Sequence, residues 1–153
     1  MNLTARASTL LKNAATIRAK SQGIGNDIRV LIAMLKGDGG IGSCALKMHS
    51  ISMRRLNAFL REGELSPISD EAVKIESWLS SSGYLDAAEQ EARELQHQSI
   101  GCEHLFLALL RPQRRHVAAF FYDVGLEARE LRRDVFKMLG CEDRRAQTAG
   151  LIP

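Results

Sequence analysis

With 153 residues the chain has room for one compact domain or two small, intimate halves. Apolar residues make up 45% but aromatics only 5%, so the core must come from Leu, Ile, Val, Ala and Met, which suits packed helices and suits a β-sandwich poorly. The net charge of +3 is spread over mixed acids and bases, a mild excess rather than a nucleic-acid signature.

The three cysteines, Cys44, Cys102 and Cys141, are far apart and form no C-x-x-C, so neither a disulfide framework nor a zinc knuckle is expected. A reducing cytoplasm is the expected setting. Near the N-terminus, Leu10-Leu11 gives way at once to Lys12-Asn13, unlike a signal peptide, and no apolar run is long enough to span a membrane. Met1 reads as a natural start.

In chain order, Leu10, Leu11, Ala14 and Ile17 form a helical stripe, with Thr4 as its N-cap. Asn26 and Asp27 are expected to cap the next helix, which buries Val30, Leu31, Met34 and Leu35 and breaks at Gly37-Asp38-Gly39-Gly40. A short helix is predicted from about Ile41 to His49, and Ser52 caps another with Met53, Leu56 and Leu60 inward. Arg61 to Pro67 reads as a connector and Asp70 to Leu79 as helical. Ser80-Ser81-Ser82-Gly83 reads as a break or a kink, so residues 70–97 make one helix or two.

Leu85, Ala88, Ala92 and Leu95 mark the following helix, and Ile100 to Leu110 a strongly apolar one with Pro112 just past its end. His116 to Val124 is helical up to Gly125. Leu131, Val135, Met138 and Leu139 stripe the last helix, which Gly140 closes. The tail 141–153 is weakly patterned and expected to be loose.

One constant offset places Asp27 on Cys102, Ala33 on Ala108, Leu35 on Leu110, Leu46 on Phe121, Ile51 on Leu126 and Leu56 on Leu131. An internal repeat of helices is the sequence signature of an array or binding platform. The expected fold is all-α: two tandem pseudo-symmetric repeats of four to five helices in one domain. The repeats are placed at 1–62 and 84–140, with a connector and helix at 63–83 and the tail at 141–153.

The segment Leu95-x-His97-x-x-Ile100-Gly101-x-Glu103-His104-Leu105-x-Leu107-Ala108-Leu109-Leu110 resembles the signature of the Clp N-terminal repeat, found twice at the front of the Clp AAA+ protein unfoldases. Thr4-x-Arg6-Ala7, Ile32-Ala33-Met34-Leu35-Lys36 and Ile41-x-x-x-x-Leu46 resemble it more weakly in the first half. Cys102 and Asp27 stand where that family usually has Thr, and Ile28 and Arg29 replace its Glu and His in the first repeat. Cys is a weak cap, so the second helix start is expected to be the less well capped.

The resemblance implies a non-catalytic recognition module for protein substrates or adaptors, with a Clp ATPase or Clp protease ring as further partners, acting in regulated proteolysis or quality control. In some Gram-positive members the equivalent glutamates help bind phosphoarginine. That implies Glu103 as a ligand-binding residue in the second half only, its carboxylate accepting guanidinium hydrogen bonds. The commoner role of an acid in a first helical turn, stabilising the helix end, is the alternative for Glu103.

No G-x-x-x-x-G-K-[ST] loop occurs, and Gly37 to Ser43 lacks the phosphate-binding lysine, so no ATPase motor is encoded in these residues. The chain is either a stand-alone protein or a fragment of a longer unfoldase. His97 and His104 do not have a recognised zinc spacing, and no metal or cofactor is expected. Ser99, His97 and Asp123 lack any local catalytic signature, so no enzyme activity is expected. The arginines at 111, 114, 115 and at 129, 132, 133 leave a small basic nucleic-acid-binding protein as the alternative function.

Overall fold

The first helix starts where Thr4, in extended conformation, accepts the Ala7 N–H on its Oγ1 at 3.1 Å. The computed structural model describes residues 1–17, 25–37, 40–62 and 74–140. Among these residues the helices are α1 Ala5–Thr16, α2 Asn26–Lys36, α3 Gly40–Met48, α4 Met53–Glu62, α5 Ile75–Ser81, α6 Tyr84–Glu94, α7 Cys102–Leu109, α8 Arg115–Asp123 and α9 Ala128–Leu139. There is no strand among them. A single parallel bridge joins Leu3 to Ile100, with the Thr4 N–H donating to Ile100 O and the Ile100 N–H to Asn2 O. The fold is all-α.

The packing follows the internal repeat. The offset that superposes the two halves carries α1, α2, α3 and α4 onto α6, α7, α8 and α9. Contacts obey it: α1 packs on α2 as α6 packs on α7, α2 on α8 as α7 on α3, and α3 on α9 as α8 on α4. Each half therefore closes its core with helices of the other. Leu31, Met34, Leu46 and Leu56 of one half and Phe106, Leu107, Phe120 and Leu131 of the other are fully buried in one continuous core. The two halves approach closely at Gly42 of α3, where an added Cβ would lie 3.0 Å from Phe106 Cβ and Cγ.

One open alternative is decided and two expectations are corrected. Residues 74–97 form two helices, because Gly83 at φ +76° takes a left-handed turn between α5 and α6 that a side chain would oppose. Met138 is exposed: α9 turns Leu131, Val135 and Phe136 into the core instead. Asn26 and Asp27 do not occupy the cap of α2, which falls on Gly25. The expected break at Asp38-Gly39, most of the connector 61–67, the start of the 70–79 helix and the tail 141–153 lie outside the described residues.

Candidate functional site

The two motif-bearing helices start alike and then diverge. Counted from the cap, Gly25-Asn26-Asp27 on α2 matches Gly101-Cys102-Glu103 on α7, so Asp27 and Glu103 share the second helical position. The sequence offset had instead set Ile28 against Glu103. It slips by one residue here because α2 begins a residue earlier in that frame, and Ile28 is fully buried in the core. The first half thus does carry an acid at the start of its motif helix.

That acid is turned inward. Asp27 is 4% exposed. Its Oδ1 accepts the Ile28 N–H at 2.9 Å and its Oδ2 the Val117 N–H at 3.2 Å. It therefore satisfies one open donor of its own helix and one of α8, across the two halves. In return the Gly25 N–H donates to His116 Nδ1 at 3.3 Å. Glu103 is turned outward: its side chain is 26% exposed, and its Oε1 lies 3.7 Å from Nδ1 of His104. An added Cβ at Gly101 would lie 2.7 Å from both Glu103 carboxylate oxygens, so the missing side chain leaves that carboxylate its place.

His104 holds the start of α7 together. The cap is Gly101, not Cys102, which is the first helical residue. From the third position His104 reaches back and accepts the Gly101 N–H on Nδ1 at 2.8 Å. This is one arm of a capping box, with imidazole in place of the usual Glu. The expectation of a poorly capped helix is corrected: the side chain three residues on supplies the acceptor that Cys102 lacks.

The same bond fixes the tautomer of a longer relay. Because His104 Nδ1 accepts, its proton sits on Nε2. Nε2 lies 2.8 Å from His97 Nδ1, which must then be the acceptor, leaving the His97 proton on Nε2. The rings meet edge to face, 4.9 Å between centroids. His97 lies beyond the end of α6, anchored by its N–H to Ala92 O at 2.8 Å after Gln96 at φ +61°. Its role is this acceptor.

His97, Glu103 and His104 bring potential ligand atoms within 4.8 Å of one another. The sequence spacing gave no hint of this. In the tautomer that the Gly101 bond imposes, however, neither nitrogen of His104 has a free lone pair. A metal on Nε2 would need to displace its proton while Nδ1 still accepts from the backbone, so the trio holds protons rather than offering a three-ligand site.

Behind the relay, Glu91 of α6 is fully buried. Arg111 donates to its Oε1 through Nε at 3.3 Å and Nη2 at 2.9 Å, and Arg132 reaches Oε1 at 3.1 Å and Oε2 at 3.0 Å. This ties α6 to the segment after α7 and to α9. Sequence reading passed over Glu91. The available signal was an acid three residues after Ala88 and one before Ala92, inside the apolar stripe. Arg114 lies over the Trp78 and Tyr84 rings, at 5.5 and 6.0 Å, and donates to Ser82 O at 3.1 Å. Of the two basic clusters, Arg111, Arg114 and Arg132 are therefore engaged within the protein.

Residues 79–151 match the family described as the Clp repeat (R) N-terminal domain. This stretch is similar to a Clp repeat N-terminal domain. A chloroplastic chaperone protein ClpC from Pisum sativum is 27% identical over 112 residues, a match that takes in 73% of this chain and 12% of that protein. This chain therefore spans only a small part of the length of the curated relative. The family match takes in α6 to α9, with the Glu103–His104 start of α7 in its first half. No helix among the described residues is long and apolar enough to cross a membrane.

Proposed function

We propose that this Clp-like domain is a non-catalytic protein-recognition module for regulated proteolysis or protein quality control in the cytoplasm. Its ligands are protein substrates or adaptors, with a Clp ATPase or Clp protease ring as the machine it serves. The carrying observation is the asymmetry of the two acids. Asp27 is consumed in joining the halves, whereas Glu103 is held at the surface by a built helix start, with no arginine or lysine paired to it among the described residues. A carboxylate left open in this way suits a cationic group on a partner, and phosphoarginine, through its guanidinium, is the ligand class we assign to it. We further propose the division into repeats at 1–62 and 84–140, because each helix of one has a counterpart in the contact scheme of the other.

The nucleic-acid reading is weaker because half of the arginines invoked for it, Arg111, Arg114 and Arg132, are tied to Glu91 or to aromatic rings. The test is titration of the tagged domain with phosphoarginine and with single-stranded DNA, each at low and moderate salt, in the wild type and in Glu103→Gln. Binding of phosphoarginine that Glu103→Gln abolishes, with stability changed by less than ~1 kcal/mol, supports the proposal. Binding of DNA that falls steeply with salt, with phosphoarginine ignored, refutes it.

A further inference from the structure

We propose that the start of α7 is a proton-operated latch: one proton taken up by the His97–His104 pair breaks the Gly101–His104–His97 relay and turns Glu103 toward the imidazolium, so that the site is open at neutral pH and closed in acid. The closing of Glu103 rests on the recognition role given above; the breaking of the relay does not.

At neutrality the order is Gly101 N–H to Nδ1 of His104, Nε2–H of His104 to Nδ1 of His97, and Nε2–H of His97 at the outer end. An added proton on His104 Nδ1 faces the Gly101 N–H, donor against donor. An added proton on His97 Nδ1 faces the Nε2–H of His104. That conflict is relieved only if the His104 proton leaves Nε2 for Nδ1, which again opposes Gly101. Every arrangement loses one of the two N–H···N bonds, and the tautomer that keeps the imidazole pair together gives up the helix cap.

The new donor on Nδ1 has a partner nearby in Glu103 Oε1, 3.7 Å away. A modest swing of that carboxylate would satisfy it and withdraw Glu103 from a ligand. The charged groups facing His104 are Glu103 on its own helix, His97 in the loop after α6, and Glu91 of α6, itself held by Arg111 and Arg132. Helices α1, α2 and α3 also pack on α7, but none of their groups is among the leading influences on this ring.

Burial is the largest influence and lowers the His104 pKa; Glu103 raises it, His97 lowers it and Glu91 raises it, and burial prevails. A depressed folded-state value means that the unfolded chain holds more protons. The relay's stabilisation is thus complete above the ordinary histidine value of ~6.5 and is lost as pH falls through the lower folded value.

The first test needs no variant. Nitrogen-15 chemical shifts of the imidazoles at pH 7 should show unprotonated Nδ1 and protonated Nε2 on both rings; the opposite tautomer at His104 overturns the proposal. Hydrogen exchange at the Gly101 amide, corrected for intrinsic rates, should then lose protection by up to about tenfold per pH unit as pH falls below the ordinary histidine value of ~6.5. The protection should be insensitive to pH in His104→Gln, whose amide oxygen can accept from Gly101 without titrating. Unchanged wild-type protection from pH 7 to pH 5 overturns the latch, as does equal acid sensitivity in a folded His104→Gln. Phosphoarginine binding separates the two claims. If Gly101 protection titrates as described but no phosphoarginine binds at pH 7, the latch stands and the recognition role of Glu103 falls.

Discussion

Removing the carboxylate of Glu91 should be the most costly single change outside the hydrophobic core. The residue is fully buried and its oxygens take four charge-assisted hydrogen bonds, two from Arg111 and two from Arg132. Glu91→Ala leaves two guanidinium groups facing an apolar gap, and breaking a buried pair in this way costs about 3–5 kcal/mol. The arginines retain 20% and 13% exposure and can recover some hydration, which places the expected loss near the lower end, ~3 kcal/mol.

For a chain of this size that is a fall in Tm of about 6–12 °C. Urea unfolding at pH 7, followed by far-ultraviolet circular dichroism and by the fluorescence of the buried Trp78, measures it directly. Arg111→Met should cost less, about 1–2 kcal/mol, because the two-pronged grip of Arg132 survives. Glu91→Ala and Arg111→Met combined should be far from additive. The losses should change little between 0.1 and 1 M salt, since a buried pair is poorly screened. A Glu91→Ala loss below ~1 kcal/mol, or one that salt removes, would show that the carboxylate is hydrated and that α6 and α9 are not joined through it.

Leu109 is 1% exposed on α7, and Leu109→Ala should cost ~2–5 kcal/mol by urea unfolding; a loss well under one would place that helix wrongly. Gly42→Ala puts a methyl group 3.0 Å from Phe106 on the facing helix and should cost ~1–3 kcal/mol, while the same change paired with Phe106→Leu should recover part of it. A neutral Gly42→Ala would mean that α3 and α7 approach less closely than described.

What could be read in the sequence was whatever a residue does with its near neighbours. Thr4 caps the helix that follows it, Ser52 accepts the Arg55 N–H at 3.3 Å, and Gly140 ends α9 at φ +69°. Each depends on a spacing of a few residues, and the apolar stripes that pack the core repeat at that same scale. The offset between halves extended this to architecture, because equal stripes demand equal partners, and the contacts of α2 with α8 and of α7 with α3 follow from it.

The offset misled where one half begins its helix a residue early, since a slip invisible to the core shifts every residue at the helix cap. Asp27 and Glu103 are the instance. Their shared place was hidden by the slip, and their opposite fates depend on a group 90 residues from Asp27, the Val117 N–H that draws its carboxylate inward. Among the described residues no N–H from the other half donates to Glu103 in this way. On α3, the counterpart of α8, Gly42 instead meets the ring of Phe106, two helical positions beyond His104. The asymmetry that leaves one acid at the surface is thus a consequence of how two nearly equal halves interlock. Functional divergence between the repeats can arise at their mutual interface, without a change in the signature helix itself.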